Sequence, residues 1–334
     1  MRIDQTKRIM ERMGRLINDR NLNANVNRHL TAALGRQLPK DMEALEKMGE
    51  AYRTAMEEKK VTLTSEQAQI TSMVVETARE HYKDIFHNPA EEGFVMSTIA
   101  LNSRMYAADA FAEDPFIRDV KLNQANAGDY RFGMVAFRPG QLFMYNTPRR
   151  APGRFVDLPR IGAFKEEARF PGILKAGKLY KNVTPNEIET MAPHIKAARG
   201  NVLVLGLGAG YFPYLASLQD AVQTVTVIEN DPALVELFEE HIMPQLSTAD
   251  KIRVLEDSPA EFLSDLDDGI YDRCFFAEGN LDSYLEMTEL CARFKKMKIT
   301  YWIEDAFCMN LSTYVYLDML QALGEAGAIK APDV

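Results

Sequence analysis

The chain has 334 residues, 46% hydrophobic and 26% charged, the balance of a globular protein with material for one large or two ordinary domains. No apolar run reaches the roughly 18 residues that a membrane helix needs, and the stretch from Met1 to Lys7 lacks the apolar core of a secretory signal. A formal charge of −9 disfavours nucleic acid or anionic lipid as partner, although residues 1–40 carry nine Lys and Arg against three acidic residues and leave an acidic partner open. Cys274, Cys291 and Cys308 are too few and too widely spaced for a disulfide framework, so a reduced, cytoplasmic setting is expected.

The first 120 residues read as a helical domain. Ile9, Met10, Met13, Leu16 and Ile17 fall on one face at helical spacing. Residues 41–59 are rich in Glu, Ala, Met and Lys, which favour helix. Thr64 and Gln67 have the spacing of a capping box, which predicts a helix running to about His87, where Asn88 and Pro89 stop it. A further helix is expected over 91–111.

Residues 121–183 read as a β-rich connector. Segments 130–137 and 141–146 flank the turn residues Arg138, Pro139 and Gly140. Segments 173–175 and 178–183 flank Ala176 and Gly177, the mark of a hairpin. Between these pairs lies a loop, 147–154, with Arg149, Arg150 and Arg154, which together with Tyr145 are candidates for a substrate entrance.

From residue 184 to 334, short apolar strands alternate with helices. Strands are expected at 201–205, 224–229, 251–255, 272–277 and 298–303, and such alternation implies a Rossmann-like α/β domain with a mainly parallel sheet covered by helices. Thr184, Pro185 and Glu187, and again Ser258, Pro259 and Glu261, have the chemistry of helix starts. Trp302 reads as core, and Glu304 and Asp305 end the fifth strand at the same sheet edge as the other strand ends. The residues after about 323 are too few for a full hairpin plus helix. The sheet is therefore expected to have five principal strands, its open edge covered by the 121–183 hairpins or by a partner chain, such as a second copy in a homodimer.

The chemistry concentrates after the first of these strands. Gly206, Gly208 and Gly210 allow positive φ and a close approach of backbone to a ligand, at the strand end where doubly wound sheets bind cofactors. Glu229 ends the second strand, where a carboxylate can accept ribose hydroxyls. Asp257 and Ser258 follow the third, where a polar side chain can bond an adenine amine. A nicotinamide fingerprint needs a third glycine where this chain has Tyr211, and no P-loop lysine follows. His29, His81, His87, His194 and His241 do not recur at metal-ligand spacing, so no metal is expected.

The runs 202–211, 227–232 and 254–262 resemble class I S-adenosylmethionine-dependent methyltransferases, over about residues 184–310. The resemblance implies S-adenosylmethionine as cofactor. It implies Gly206, Gly208 and Gly210 under the methionine part, Glu229 at the ribose, and Asp257 with Ser258 at the adenine. The family's fourth strand usually ends in an acidic residue near the transferred methyl; here Ala277 stands there and Glu278 follows, which makes Glu278 the candidate catalytic residue. The expected activity is methyl transfer to an acceptor, small or macromolecular, that the sequence does not specify. Aminopropyltransferases of the spermidine synthase kind share the architecture and form one alternative; a non-catalytic scaffold or interaction protein is the other, motivated by Ala277.

Overall fold

The computed structural model describes residues 42–58, 60–81, 102–122, 124–150, 157–277 and 281–302, with a few isolated positions between 14 and 22. The described residues form two compact units, one from those up to Met105 plus Gly140–Ala163, the other from Tyr106–Pro139 and from Phe164 onward. Neither unit is continuous in sequence, which differs from the consecutive division at 120 and 183. Among the described residues no helix is long and apolar enough to cross a membrane.

In the first unit, α1 (Met42–Glu58) and α2 (Ser65–His81) match the expected helices over their described lengths. α1 ends in a Schellman turn: Val61 N donates to Met56 O (3.0 Å) and Lys60 N to Glu57 O (2.9 Å), with Lys60 in the left-handed region at φ 61°. Met56 and Val61 then pack with Leu63 and Ala68. The predicted capping box opens α2, with Gln67 N donating to Thr64 Oγ1 (3.2 Å) and Thr64 N to Gln67 Oε1 (3.1 Å). The apolar face at 9–17 and the expected helix end near His87 lie outside the described residues.

Residues 102–111 are not helical. Arg104–Tyr106 forms strand β1, and three successive i to i+3 turns follow, closed by Ala110 N to Ala107 O, Ala112 N to Asp109 O and Asp114 N to Phe111 O. Tertiary packing overrides the helical composition here. Tyr106 and Phe111 join Phe137, Phe164 and Phe170 in an aromatic cluster with ring centres 5.3–6.2 Å apart, an arrangement a helix through both residues does not make. A short helix, α3 (Pro115–Asp119), follows, capped by Asp114.

The connector pairs differently from the sequence expectation. β3 (Tyr130–Phe137) does not form a hairpin across residues 138–140. It pairs antiparallel with β6 (Ala168–Lys175), in a four-stranded sheet ordered β2 (Asn126–Ala127), β3, β6, β7 (Lys178–Asn182). The segment after the turn becomes β4 (Phe143–Arg150), which pairs with β5 (Asp157–Phe164) in a three-stranded sheet ordered β1, β5, β4. Strand thus replaces the first half of the loop expected at 147–154. The second hairpin is as expected: Ala176 (φ 48°) and Gly177 (φ 78°) both take positive φ, as a two-residue turn of the primed type requires, and join β6 to β7.

The rest of the second unit is a parallel sheet. Its strands are β8 (Gly200–Leu205), β9 (Val222–Glu229), β10 (Ile252–Glu256), β11 (Arg273–Phe276) and β12 (Lys298–Tyr301), in the order β10-β9-β8-β11-β12. All five expected strands are present, and among the described residues the sheet has five strands. The helices are α4 (Pro185–Ala197), α5 (Tyr211–Ser217), α6 (Pro232–His241), α7 (Pro259–Asp265) and α8 (Leu281–Cys291). Alternate residues of β8 serve opposite cores. Val202 and Val204 pack with Val225, Val227 and Phe275 on one face, and Leu203 and Leu205 with Ile228, Cys274 and Phe276 on the other. These four residues of β8 are all buried, which is why 202–205 reads as an unbroken apolar run.

Candidate functional site

The strand order places a topological switch point between β8 and β11. The chain runs outward from β8 through β9 to β10, then returns to lay β11 on the other side of β8. Loops at the carboxyl ends of those two strands diverge there and leave a crevice, the place where open α/β sheets take ligands. The glycine loop fills one side of it. Gly206 N extends the ladder by donating to Ile228 O (2.9 Å), Gly210 N closes the turn on Leu207 O (3.0 Å), and all three loop glycines take positive φ, between 62° and 90°.

Two of these glycines do different work. At Gly210 a Cβ would collide with the Phe238 ring of α6, so this glycine lets helix and loop pack closely. At Gly208 a Cβ would meet nothing within 4 Å, so the backbone there faces open space. An approachable backbone at the switch point fits an extended ligand lying across the loop.

Glu229 is buried and holds the loop in place. Its Oε2 accepts from Leu207 N (2.9 Å), and its Oε1 accepts from Asn230 N (3.0 Å) and Asp231 N (3.1 Å). A carboxylate offers about four acceptor positions, so three bonds leave capacity for about one more donor. Asp257 follows Glu256, the register partner of Glu229, and Asp257 N donates to Glu229 O (3.0 Å). Its Oδ1 accepts from Ser258 N (2.7 Å), while Ser258 caps α7 by accepting from Glu261 N (3.5 Å). The strand-end residues named from sequence thus share one sheet edge.

Beside Glu229, Asp231 caps α6 and collects two donors from the four-stranded sheet. Tyr130 OH donates to its Oδ2 (2.6 Å), and Lys175 Nζ donates to the same oxygen (3.1 Å) and to the phenol (2.6 Å). Tyr130 and Lys175 hold the Asp231 carboxyl below its ordinary pKa against the opposing effect of burial. The Tyr130 phenol is in turn pushed up by burial and by Asp231.

Across the loop from Glu229 lies a cavity of about 240 Å³. Leu207, Gly208 and Ala209 form its wall on the loop side, Ala277 stands at the end of β11, Trp302 just past β12, and Asn182 and Glu187 on the side of β7 and α4. Tyr211 and Phe212 join it from α5, Tyr180 and Lys181 from β7, and Met191 from α4. Two donors of its aromatic wall are committed elsewhere: Trp302 Nε1 to Thr190 Oγ1 (2.7 Å) and Tyr211 OH to Asp114 Oδ2 (2.8 Å). Burial pushes both the Asp114 carboxyl and the Tyr211 phenol up. Burial also pushes the Glu187 carboxyl up, while bonds from Thr184 and Asn186 oppose it.

Sequence reasoning reached one side of this site better than the other. Gly206, Gly208, Gly210, Glu229, Asp257 and Ser258 all stand at the sheet edge, and Gly208 also lines the cavity. Glu278, Glu304 and Asp305 lie outside the described residues. Tyr145 is buried within β4, with the Arg160 guanidinium 4.7 Å above its ring, which places it in packing rather than at an entrance; Arg154 and the side chains of Arg149 and Arg150 lie outside the described residues. The sequence places Glu187 in a helix cap and Trp302 in the core. Both readings hold, but both residues also line the cavity. Among the described residues, no group of three or more His, Cys, Asp or Glu is arranged to hold a metal ion.

No protein-family model and no curated protein matches the chain. Solved structures match parts of it. One is the 23S rRNA methyltransferase ErmE, at 20% identity and a TM-score of 0.26, covering 34% of this chain and 44% of that one. Another is precorrin-6y C5,15-methyltransferase from Geobacter metallireducens GS-15, at 17% identity and a TM-score of 0.31, covering 43% and 73%. A third is spermidine synthase in complex with the transition-state analogue AdoDATO, at 15% and 0.32, covering 42% and 60%. The chain spans less than half the length of the first of these. At such identities and TM-scores they assign neither a family nor an activity.

Proposed function

We propose that this chain binds S-adenosylmethionine at the carboxyl edge of its parallel sheet and transfers the methyl group to an acceptor. The observation that carries the reading is the conjunction at the switch point: a glycine loop open at Gly208, a carboxylate at the end of the next strand, and a second carboxylate at the end of the one after it. In this reading Gly206, Gly208 and Gly210 pass under the methionine part, Glu229 accepts a ribose hydroxyl with its remaining capacity, and Asp257 with Ser258 meets the adenine. The cofactor supplies an electrophilic methyl on a sulfonium. The protein's part is to orient an acceptor and exclude water, which needs no covalent residue.

Calorimetry with S-adenosylmethionine and S-adenosylhomocysteine tests the reading. Saturable binding of both is expected, weakened by about 1–3 kcal/mol in Glu229→Ala. No binding of either defeats it. A chain that prefers decarboxylated S-adenosylmethionine belongs instead with aminopropyl transfer.

A further inference from the structure

We infer that the amino edge of the parallel sheet, opposite the glycine loop, carries a second site, where Arg273 and Arg199 bind a phosphate dianion. This site is separate from the proposed methyl transfer and does not depend on it.

The strand fixes the position. β11 ends at the cofactor edge with Phe276 and begins with Arg273, about 10 Å away at the spacing of strand residues. Side chains alternate along a strand, so Arg273 shares a face with Phe275. Its register partner on β8, Val202, belongs to the core on that face. The end of α4 covers the same face: the His194 ring lies 5.1 Å from that of Phe275, and Ile195 and Ala198 pack into the core with Val202. Arg199 leaves α4 immediately afterwards, exposed, and its charge acts on Arg273.

Charge then sets the ligand. Arg273 is only 9% exposed. Among the described residues its guanidinium has no hydrogen-bond or ion-pair partner; Nε is enclosed, while the terminal nitrogens reach the surface. Burial and the charge of Arg199 both push its pKa down. The acids that precede β11 are bonded to backbone instead: Asp272 accepts from Asn201 N (2.8 Å), and Asp268 from Lys295 N (2.9 Å) and Lys296 N (3.1 Å). Lys298, the register partner of Arg273 on β12, adds another exposed cation to this edge. Composition does not force such a pairing, since the chain has 48 acidic residues against 39 Lys and Arg. The carbonyl end of α4 attracts cations, but Arg273 makes no hydrogen bond to it. A largely buried guanidinium beside a second one, with no acid, is costly unless an anion joins them. Guanidinium forks match the oxygens of phosphate and of carboxylate. Two positive charges select between these: a phosphate dianion, free or as a monoester, neutralises both, and a carboxylate leaves one over.

The experiment titrates the full chain by calorimetry, in Hepes at constant ionic strength, with inorganic phosphate, phenyl phosphate and acetate. Saturable binding of inorganic phosphate is expected with a Kd of about 1 mM, at least about tenfold tighter than acetate. Phenyl phosphate binding equally well supports a monoester as the ligand, and weaker binding supports the free ion. Arg199→Gln changes an exposed residue and should weaken phosphate about tenfold. Arg273→Met should abolish saturation while leaving S-adenosylhomocysteine binding as in the parent. In phosphate-free buffer it should resist urea at least as well as the parent, because an uncompensated charge is gone. Four results would overturn the inference. They are no saturation below about 50 mM phosphate, acetate binding as tightly as phosphate, unchanged phosphate affinity in both variants, and a phosphate-free Arg273→Met chain that unfolds more easily than the parent.

Discussion

The two flanks of the glycine loop handle carboxylates in opposite ways. On the β9 flank, Glu229 is buried and accepts three backbone N–H groups, so its carboxylate is part of the scaffold and shapes the loop while keeping capacity for about one more donor. On the α4 flank, Glu187 is held by one backbone N–H and two side chains beside a cavity, and burial raises its affinity for a proton. The same residue type therefore shapes the loop on one side and faces a cavity on the other.

The sharpest way to break this contrast is at the loop between the flanks. Gly210→Val places a branched side chain at φ 81° and into the Phe238 ring, and should cost about 3 kcal/mol or more in urea unfolding. Gly208→Ala meets open space, so it should cost about 1 kcal/mol from its φ of 62° and weaken S-adenosyl ligands more than it weakens the fold. Next comes Glu229→Ala, which strips the acceptor from Leu207, Asn230 and Asp231; a loss of about 2–3 kcal/mol is expected, together with its effect on ligand affinity. If Glu229→Ala and Glu187→Gln destabilise equally, Glu229 does no more for the loop than Glu187 does for the start of α4. Tyr211→Phe removes the phenol that donates to the buried Asp114, with an expected cost of about 1 kcal/mol.

The smallest effect is one of pH. The Glu187 carboxyl binds its proton more tightly in the fold than in the unfolded chain, where it titrates near 4.5. Its contribution to stability is therefore fully present below that value and is lost as pH rises through the higher folded one. Glu187→Gln should gain on the parent protein between pH 4 and pH 7, measured by urea unfolding at both. Asp119 runs the other way. Its bonds from Arg118 and the Tyr214 phenol lower it from 3.8 to about 2, so its contribution is present above 3.8 and fades as pH falls toward 2. Asp119→Asn should narrow its deficit over that acid range.

How legible each part was in the sequence follows from the range of the forces that shape it. β8 and β9 were readable because strands buried on both faces leave unbroken apolar runs, and the loop after β8 because positive φ selects glycine. The partner of β3 was not readable, since its pairing with β6 spans about 30 intervening residues and depends on the aromatic cluster around Phe111 and Phe164. Composition favoured helix at 102–111, and nothing local opposed it. Glu187 was hidden for a different reason: the capping box accounted for it completely, and only the placement of α4 beside the loop shows what else it faces.

The two-faced strand β8 has a consequence for measurement. Val202 and Val204 are fixed in one core and Leu203 and Leu205 in the other, and the glycine loop grows directly from their end. The loop is therefore tethered to a strand buried on both faces, and a ligand gripping it stabilises both cores together. A ligand present at 100 times its Kd then raises the unfolding free energy by about 2.7 kcal/mol. A thermal melt of the whole chain becomes an assay for its small-molecule partners, whether or not any of them turns over.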